Sequence, residues 1–429
     1  MLEQFSLKQI LAEPESLEDL HIPQSIVIDL MLRLLFNEGN VALSRFAEVL
    51  RIPNRIIDNL LLWLQREHLV EVSKASAELG RLSNVYTLTE AGAQRARDAL
   101  ERSQYVGPVP VPINYYSRGI ELQTCERQRV RAEKVQHALK QLILPNGFHR
   151  QVGPAINSAT SLFLYGPPGN GKTTIAQAIG ALISGTDPIW VPHAVTAGGH
   201  IIQIHDRLIY KPVPMPGSGR TTELGRIDRR WGFFERPTVT VGGELTMDAL
   251  DLRWDPVAKF YEAPLQMKAN GGMFLIDDFG RQQVSPTNLL NRWIVPLESQ
   301  VDFLRLHSGQ TLVVPFRELI VFSTNLDPMQ LVDDAFLRRI QMKVEVCSPD
   351  EKLFYQIFLM MCKEYNIPFE KEVFLYLLQK WYRETGRVMQ SVHPRDILRT
   401  VQALCDYEGV PTKLTPALID EACHSYFVN

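Results

Sequence analysis

The spacing of hydrophobic positions changes along the chain, and each spacing predicts a different kind of element. Near the start, apolar side chains recur at helical intervals, as in Ile26, Leu30 and Leu34, which predicts amphipathic helices. Two central runs, "LFLY" and "MFLI", are apolar without interruption and predict strands buried on both faces of a parallel sheet. After residue 349 the helical spacing returns. The pattern therefore predicts an α/β core between two smaller units.

Residues 1–105 form the first predicted unit. Pro23 and Pro53 each suit the start of a helix, and "LVEVSKASAELGRLSNVYTL" predicts two strands around a polar loop. Thr89 can cap the helix "EAGAQRARDALERS" that follows. Three helices, a β-hairpin and a closing helix resemble a winged helix-turn-helix domain, and the ending "YTLTEAGAQRA" strengthens the resemblance.

The remaining boundaries follow from composition. Residues 106–120 are proline-rich and predict an extended linker. Residues 121–348 form the predicted α/β core, with a β-rich insertion around 198–264. Residues 349–429 predict a small helical domain of four helical segments separated by proline or glycine signals.

Length and composition narrow the class of protein. A chain of 429 residues is expected to contain two or three domains, and 45% hydrophobic with 22% charged residues is typical of a globular protein. The net charge of -3 argues against a general affinity for nucleic acid or acidic membranes. No signal peptide or membrane span is predicted. Five scattered cysteines indicate neither a metal site nor a disulfide framework, so we expect a reducing cytoplasm.

The stretch "LFLYGPPGNGKTTIAQAIGALI" places a glycine-rich loop between a predicted strand and a predicted helix. Its spacing, Gly-x-x-x-x-Gly-Lys-Thr, is that of a phosphate-binding loop in the context such a loop requires. Glycines let backbone N–H groups converge on phosphate oxygens, and the helix start adds a favourable dipole. Lys172 is expected to reach the β- and γ-phosphates of ATP, and Thr173 to bind Mg²⁺. The candidate nucleotide-binding residues are Gly166, Pro167, Pro168, Gly169, Asn170, Gly171, Lys172, Thr173 and Thr174.

Asp277 and Asp278 follow the apolar run "MFLI" directly. Adjacent carboxylates repel each other and are costly to desolvate, so the pair either serves chemistry or marks a solvated turn. The phosphate loop favours chemistry, because a P-loop nucleotide enzyme needs an acidic pair at the end of a second strand. Asp277 is then expected to hold Mg²⁺, directly or through water, and Asp278 to orient or deprotonate the attacking water.

"GPPGNGKTT", "FLIDD", "VFSTN", "FLRRI" and "HPRDILR" occur in this order and together resemble the AAA+ ATPases over residues 130–429. The resemblance implies an α/β core with a C-terminal helical lid and ATP between them. "VDFLRL" and "TLVVPF" flank the turn "HSGQ" and predict a hairpin before the strand "ELIVFSTN". That hairpin is similar to the one in the group that includes MoxR-like ATPases. "QVGPAIN", with Val152 and Gly153, is the expected adenine-side segment.

The same resemblance implies roles for four polar residues. Asn325 corresponds to sensor 1, a group that touches the γ-phosphate and the attacking water. Arg338 and Arg339 stand at the arginine-finger position, which contacts the nucleotide of a neighbouring subunit. Arg395 corresponds to sensor 2 in the lid.

Two features depart from the AAA+ pattern. The usual acidic pair is Asp-Glu, whereas the second carboxylate here, Asp278, is one methylene shorter. Activity is expected, with slow hydrolysis or an ATP-binding switch as the alternative.

The insertion carries the segment Arg220–Arg236, with five arginines and interleaved aromatic residues. Such a segment either contacts single-stranded nucleic acid or an acidic partner, or packs its own aromatic side chains, and we favour the second.

The sequence therefore predicts a ring-forming ATP hydrolase, expected to be hexameric, that uses ATP and Mg²⁺ to remodel protein partners in the manner of a chaperone. The winged-helix unit would dock a protein substrate or adaptor. A DNA-directed ATPase and an ATP-cemented scaffold with little turnover remain as alternatives.

Nucleic acid is a possible partner that the sequence does not favour. In the predicted recognition helix, Arg55 and Arg66 are balanced by Asp58 and Glu67, and the predicted wing adds a net charge of only +1. Few phosphates could be neutralised by residues 1–105, so we expect no sequence-specific DNA binding from them alone.

Overall fold

The computed structural model describes residues 5–74, 84–125, 129–158, 161–215, 226–331 and 337–427. Its helices are α1 Leu7–Ile10, α2 Gln24–Glu38, α3 Leu43–Leu50, α4 Asn54–Arg66, α5 Glu90–Arg102, α6 Ile113–Cys125, α7 Ala132–Ala138, α8 Phe148–Ser158, α9 Lys172–Ser184, α10 Leu265–Ala269, α11 Pro286–Ser299, α12 Pro328–Leu331, α13 Glu351–Glu364, α14 Lys371–Leu377, α15 His393–Glu408 and α16 Pro416–Tyr426. Its strands are β1 Val41–Ala42, β2 Val70–Lys74, β3 Val85–Leu88, β4 Val111–Pro112, β5 Ser161–Tyr165, β6 Ile189–Pro192, β7 Ala194–Ala197, β8 His200–Gln203, β9 Trp231–Phe234, β10 Thr238–Val241, β11 Arg253–Asp255, β12 Phe260–Glu262, β13 Met273–Ile276, β14 Val301–Arg305, β15 Thr311–Pro315, β16 Leu319–Thr324 and β17 Met342–Glu345.

A five-stranded parallel sheet forms the centre of the molecule, in the order β10–β13–β16–β5–β17. The "MFLI" run is β13, which lies between β10 and β16 and is buried along its whole length. Because the strands are parallel, their carboxyl ends meet at one edge of the sheet, which is where ligands bind in folds of this kind. The polar residues that follow β5, β13 and β16 therefore lie side by side.

Alternate residues of the central strands face two different hydrophobic clusters. Leu162 and Leu164 of β5 pack with side chains of α7, α8 and α9, whereas Phe163 packs with Phe322 and with Trp293 of α11. This burial on both sides accounts for the uninterrupted apolar runs in the sequence. The predicted fold class, an α/β phosphate-loop core followed by a helical domain, is confirmed.

Helices α2 to α5 and the small sheet β1–β3–β2 form the N-terminal unit, residues 24–102. The predicted helices and strands are present, and Thr89 caps α5 by accepting a hydrogen bond from the Gly92 N–H. Most of the predicted wing, Ser73 to Asn84, lies outside the described residues, since residues 75–83 are not described. The assignment of this unit to the winged-helix class stays a prediction.

Residues 106–120, expected to be an extended linker, are packed structure instead. Val111–Pro112 forms β4 and pairs with β7 of the insertion, and α6 begins at the next residue. Tyr116 of α6 is fully buried, and its hydroxyl donates to the carbonyl of Met267 at 3.1 Å. The prediction was wrong because the prolines end at residue 112, so they exclude a helix before that point and not after it.

The insertion forms a separate sheet, in the order β11–β12–β8–β7–β4, beside the antiparallel pair β6–β9. The predicted hairpin is present as β14–β15, and its Leu304 and Val314 share a hydrophobic cluster with Ile202 and Tyr261 of the insertion. The hairpin is therefore held against the insertion, and its outer side exposes Phe303.

The aromatic residues of the arginine-rich segment pack internally. Trp231 and Phe234 are buried, and Phe233 stacks on Trp190 with ring centroids 4.5 Å apart. Residues 216–225 of this region lie outside the described part of the chain. For these three aromatic residues, the favoured interpretation of internal packing is confirmed.

Helices α13 to α16 form the C-terminal helical domain around their own hydrophobic cluster, and α14 continues as a π-helical turn over Leu378–Arg383. Each helix falls within one of the four predicted helical segments. Within the ranges that the structure describes, no helix has the length and apolar character that crossing a bilayer requires.

Candidate functional site

The phosphate loop connects β5 to α9 at the carboxyl edge of the sheet. Gly166, Gly169 and Gly171 have φ angles of 131°, 74° and 83°, a region that residues with a Cβ rarely adopt. A Cβ on Gly166 would lie 2.5 Å from the carbonyl oxygen of Val346, so only glycine fits there. Gly171 is the N-cap of α9 and makes no side-chain cap. The start of α9 is therefore open to an anion.

Lys172 lies over this loop. Its side chain is largely buried, and Nζ donates to the carbonyl oxygens of Gly166 at 2.9 Å and Pro167 at 2.8 Å. Burial lowers the pKa of Lys172, and the nearby Asp278 and Asp277 carboxylates partly offset this by raising it. The ammonium is thus held at the loop, where phosphate oxygens would give it a counter-charge.

Thr173 and Asp277, the two residues expected to bind Mg²⁺, lie in contact. The Thr173 hydroxyl donates to Oδ1 of Asp277 at 3.0 Å, although the two residues are 104 positions apart in the chain. A hydroxyl and a carboxylate are the hard oxygen ligands that Mg²⁺ prefers, so these residues fit the ion. Among the described residues, no group of three or more His, Cys, Asp or Glu side chains could hold a metal without other ligands. Phosphate oxygens and water would complete the coordination.

Asp278 has a left-handed backbone, with a φ of 50°. Aspartate and asparagine adopt this region more readily than other non-glycine residues. Asn325, which follows β16, donates from Nδ2 to Oδ1 of Asp278 at 3.1 Å. The predicted water-activating carboxylate and the predicted sensor 1 therefore lie in contact, beside Asp277.

Sequence reasoning missed Gln282, which stabilises the turn after β13. Its Nε2 donates to the carbonyl oxygens of Asp277 at 2.8 Å and Asp278 at 3.2 Å, and its Oε1 accepts from the Gly280 N–H at 2.8 Å. A glutamine four residues after the acidic pair carries no sequence signal by itself. Its hydrogen bonds hold the backbone from which both carboxylates project.

The two candidate finger arginines have different environments. Arg339 forms an ion pair with Glu298, at 2.5 Å between Nε and Oε1, and its carbonyl oxygen accepts from the Ser161 hydroxyl. Arg338 is exposed, and no carboxylate within 4.0 Å of it is found among the described residues. Of the pair, Arg339 is therefore the one engaged in an ion pair within the described residues.

Asn170 connects the phosphate loop to the C-terminal domain. Its Oδ1 accepts from the Ser391 N–H at 3.1 Å, and its Nδ2 donates to the Ser348 hydroxyl at 3.2 Å. Beside it, the carbonyl oxygen of Gly169 accepts from the Val392 N–H at 2.9 Å. Asn170 was predicted among the nucleotide-binding residues, and in the structure its side chain serves the contact with the lid.

Other predicted site residues lie farther from the phosphate loop or serve packing. Arg395 is half exposed and pairs with Asp396 at 2.9 Å, rather than with the loop. Val152 is fully buried in the core cluster, and Gly153 follows it in α8, so an adenine contact of Val152 would involve its backbone. Thr174 is exposed on α9. The sensor 2 role and the adenine contacts stay predictions.

Comparison with known proteins gives a match in the C-terminal helices. Residues 350–425 match a family model described as "Domain of unknown function (DUF8689)". No curated protein matches the chain.

Solved structures resemble the chain distantly. NtrX from Brucella abortus is 13% identical, with a TM-score of 0.39, over 68% of this chain and 57% of that one. A mutant of RuvB from Thermotoga maritima is also 13% identical, with a TM-score of 0.39, over 68% and 72% of the two chains. The chain thus covers less than two thirds of the length of NtrX. Likenesses this distant carry no conclusion about activity or partners.

Proposed function

We propose that the protein is an AAA+-type ATPase that binds ATP with Mg²⁺ and hydrolyses it. One observation carries the proposal: Lys172, Thr173, Asp277, Asp278 and Asn325 converge at one edge of the parallel sheet. Each has the chemistry that the corresponding step of phosphoryl transfer needs. The hairpin β14–β15 supports a place in the pre-sensor-1 hairpin group, with MoxR-like ATPases.

In this proposal the phosphate loop and Lys172 bind the β- and γ-phosphates, and Thr173 and Asp277 hold the ion. Mg²⁺, when bound, neutralises charge that develops on the phosphate oxygens. Asp278 accepts a proton from the attacking water, and Asn325 keeps that carboxylate in position through its 3.1 Å hydrogen bond. Gln282 prevents the turn from rotating the two carboxylates away.

We further propose that the protein works as a homo-oligomeric ring, expected to be hexameric, in the cytoplasm. The exposure of Arg338 supports this, because a finger that acts on the next subunit must be free in its own. The N-terminal unit would then bind a protein substrate or adaptor, and cycles of ATP would remodel it. The contact between Asn170 and Ser391 offers a route by which the nucleotide state reaches the helical domain.

A mixing experiment tests both the active site and the ring. Arg338→Ala and Asp278→Asn are each expected to lose most ATP turnover while remaining folded. Mixed under conditions of subunit exchange, they should recover part of it, because an interface can combine an intact Asp278 with an intact Arg338. Arg399→Ala, another exposed arginine, is the control and should behave as the wild type. Subunit exchange without any recovered activity would contradict the trans role of Arg338.

The same variants separate the remaining possibilities. If the wild type binds ATP tightly and assembles but shows no turnover, the protein is an ATP-cemented scaffold instead. This outcome is worth measuring because Asp278 is one methylene shorter than the usual glutamate. If turnover is found, Asp278→Asn should accumulate in the ATP-bound state and retain its partners for identification. Recovery of defined protein partners supports remodelling, and recovery of DNA alone supports a DNA-directed ATPase.

A further inference from the structure

A cavity lies where helices α2 and α5 of the N-terminal unit meet the β7–β8 turn of the insertion. Its volume is about 380 Å³, within the ~300–1,000 Å³ that is typical of small-molecule sites. It is lined from the two helices by Asp29, Arg33, Arg95 and Arg102, and from the insertion by Lys259. None of the residues assigned to the ATP site lines it, so this cavity is separate from the phosphate loop.

Contacts between the two units hold the walls of the cavity in place. Ile201 of β8 belongs to the hydrophobic cluster of the N-terminal unit. The Gln104 N–H donates to the carbonyl oxygen of Ala258 at 2.8 Å, and Nζ of Lys259 donates to that of Glu101 at 2.6 Å. The shape of the cavity is therefore set by packing and hydrogen bonds that join its two sides.

Arg33 is the most buried cation of the cavity, with a side chain that is only 4% exposed. Its Nε donates to the carbonyl oxygen of Ala99 at 3.1 Å, and its Nη1 donates to that of Tyr105 at 3.4 Å. Its Nη2 lies 3.6 Å from Oδ2 of Asp29, beyond hydrogen-bond distance, and no acceptor for Nη2 is found among the described residues. Burial lowers the pKa of Arg33 to about 10. One amino group of a buried guanidinium is thus left without an acceptor at the cavity.

Positive charge in the cavity exceeds the negative charge that could balance it. Asp29 is already engaged, because Arg102 donates to its Oδ1 at 2.9 Å and to its Oδ2 at 2.8 Å. Arg95 and Lys259 have no carboxylate within 4.0 Å in the described ranges of the chain. With histidine counted as neutral, four cations and one carboxylate line the cavity, a net charge of +3 in a chain whose overall charge is -3. The acidic residues of α5 do not line it, namely Glu90, Asp98 and Glu101.

Two further hydrogen-bond donors belong to the same cavity. Ser103 is buried and lines it; its hydroxyl oxygen accepts from the Tyr105 N–H at 3.3 Å, and no acceptor for its own proton is found in the described part of the chain. Helix α2 has 15 residues and no side-chain cap, and Ser25 of its first turn also lines the cavity. The dipole of α2 adds to the positive potential there. The cavity therefore offers mainly donors to a ligand.

These properties fit a phosphate group better than a single carboxylate. A phosphate monoester carries about -1.5 to -2 charges at pH 7 and has three acceptor oxygens, so it can occupy more of the donors and balance more of the charge. Guanidinium groups also match phosphate oxygens in bidentate geometry. Apolar side chains complete the lining and suit a carbon skeleton, namely Pro23, Ile26 and Ile201.

We propose that this cavity binds a small phosphorylated metabolite, which thereby holds the N-terminal unit against the insertion. The inference goes beyond the proposed function and does not depend on ATP hydrolysis. Because the ligand contacts α2, α5 and the β7–β8 turn together, its binding stabilises their packing.

Isothermal titration calorimetry of the full-length protein tests the site, with inorganic pyrophosphate as the probe. Every protein in the test carries Lys172→Ala, so that the phosphate loop does not take up the probe. Added to this parent, Arg95→Gln/Lys259→Gln removes two cations of the cavity and should weaken pyrophosphate binding roughly tenfold or more. The matched control, Arg97→Gln/Lys363→Gln, makes the same chemical changes outside the cavity and should bind as the parent does. Arg95→Lys/Lys259→Arg keeps both charges and should bind more tightly than the glutamine variant.

Hydrogen–deuterium exchange then locates the bound probe. In the parent, pyrophosphate should slow exchange in the first turn of α2 and in residues 198–201 of the insertion. At the same pyrophosphate concentration, the glutamine variant should show less protection in both segments. Protection confined to other parts of the chain would overturn the proposal.

Four further results would also overturn it. The first two are no saturable binding of pyrophosphate up to ~10 mM, and equal affinity in the glutamine variant and the control. The third is tighter binding of citrate than of pyrophosphate, which would show a carboxylate site. The fourth is displacement of pyrophosphate by a DNA duplex at equal phosphate concentration, which would assign the cavity to a nucleic-acid backbone. If the glutamine variant melts below the control, Arg95→Gln alone replaces it, because that side chain is exposed.

Discussion

Asn170→Ala provides the sharpest test of the contact between the phosphate loop and the helical domain. Asn170 is buried and makes hydrogen bonds to the Ser391 N–H, the Ser348 hydroxyl and, at 3.4 Å, the carbonyl oxygen of Pro167. Alanine removes all three and leaves the half-buried Ser391 N–H without its acceptor. A typical hydrogen bond contributes about 1 kcal/mol, and an unpaired buried donor costs about 1–3 kcal/mol. We expect local opening around Ser391 to become easier by about 2 kcal/mol.

Hydrogen–deuterium exchange measures this opening directly. A change of about 2 kcal/mol corresponds to roughly 30-fold faster exchange of the Ser391 amide. Peptides from α16 should keep their exchange rates, because its packing does not involve Asn170.

Asn170→Asp is the matched control for this experiment. Its carboxylate can still accept from the Ser391 N–H, so protection there should be retained. It cannot donate to Ser348 or Pro167, and it adds negative charge beside the phosphates, so ATP affinity should fall. Unchanged exchange at Ser391 in Asn170→Ala would refute the role assigned to this side chain.

Three further predictions concern the site and its pH dependence. Lys172→Ala should abolish tight ATP binding, because the ammonium group between the phosphates is lost. Titration with a fluorescent nucleotide measures this, and near-native affinity would refute the site assignment. Asp278→Asn should retain ATP binding but lower turnover by roughly 10²–10⁴-fold, because the amide cannot accept a proton from water. Asparagine also suits the left-handed backbone at this position, so the fold should be unchanged. Normal phosphate release by this variant would place the base elsewhere. Burial lowers the pKa of His393 from 6.5 to about 4, so between these pH values the unfolded chain binds a proton that the folded chain does not. Stability should therefore decrease as pH falls from 6.5 towards 4, and thermal melts of His393→Gln should show a smaller decrease; an equal slope in both proteins would contradict this.

Local requirements of the backbone made the phosphate loop and the buried strands predictable. Glycine is needed where φ is positive, and a strand covered on both faces needs apolar residues at every position. The four C-terminal helices followed from the same kind of local information, namely helical spacing and the turn residues between them. Parallel strands then bring their carboxyl ends together, so the meeting of Thr173 with Asp277 could also be expected.

Tertiary packing decided what the sequence left open. Whether an arginine forms an ion pair depends on carboxylates that are far away in the chain. Arg338 and Arg339 were therefore equivalent in the sequence, but in the structure Arg339 pairs with Glu298. Asn170 and Ser391 are 221 residues apart, and no local pattern indicates their contact. The backbone pairing of residues 11–13 with 226–228 likewise joins segments that are far apart in the chain. The spacing of apolar and glycine residues in the sequence reflects the local backbone conformation. The partners of charged and amide side chains are set only when distant segments pack together.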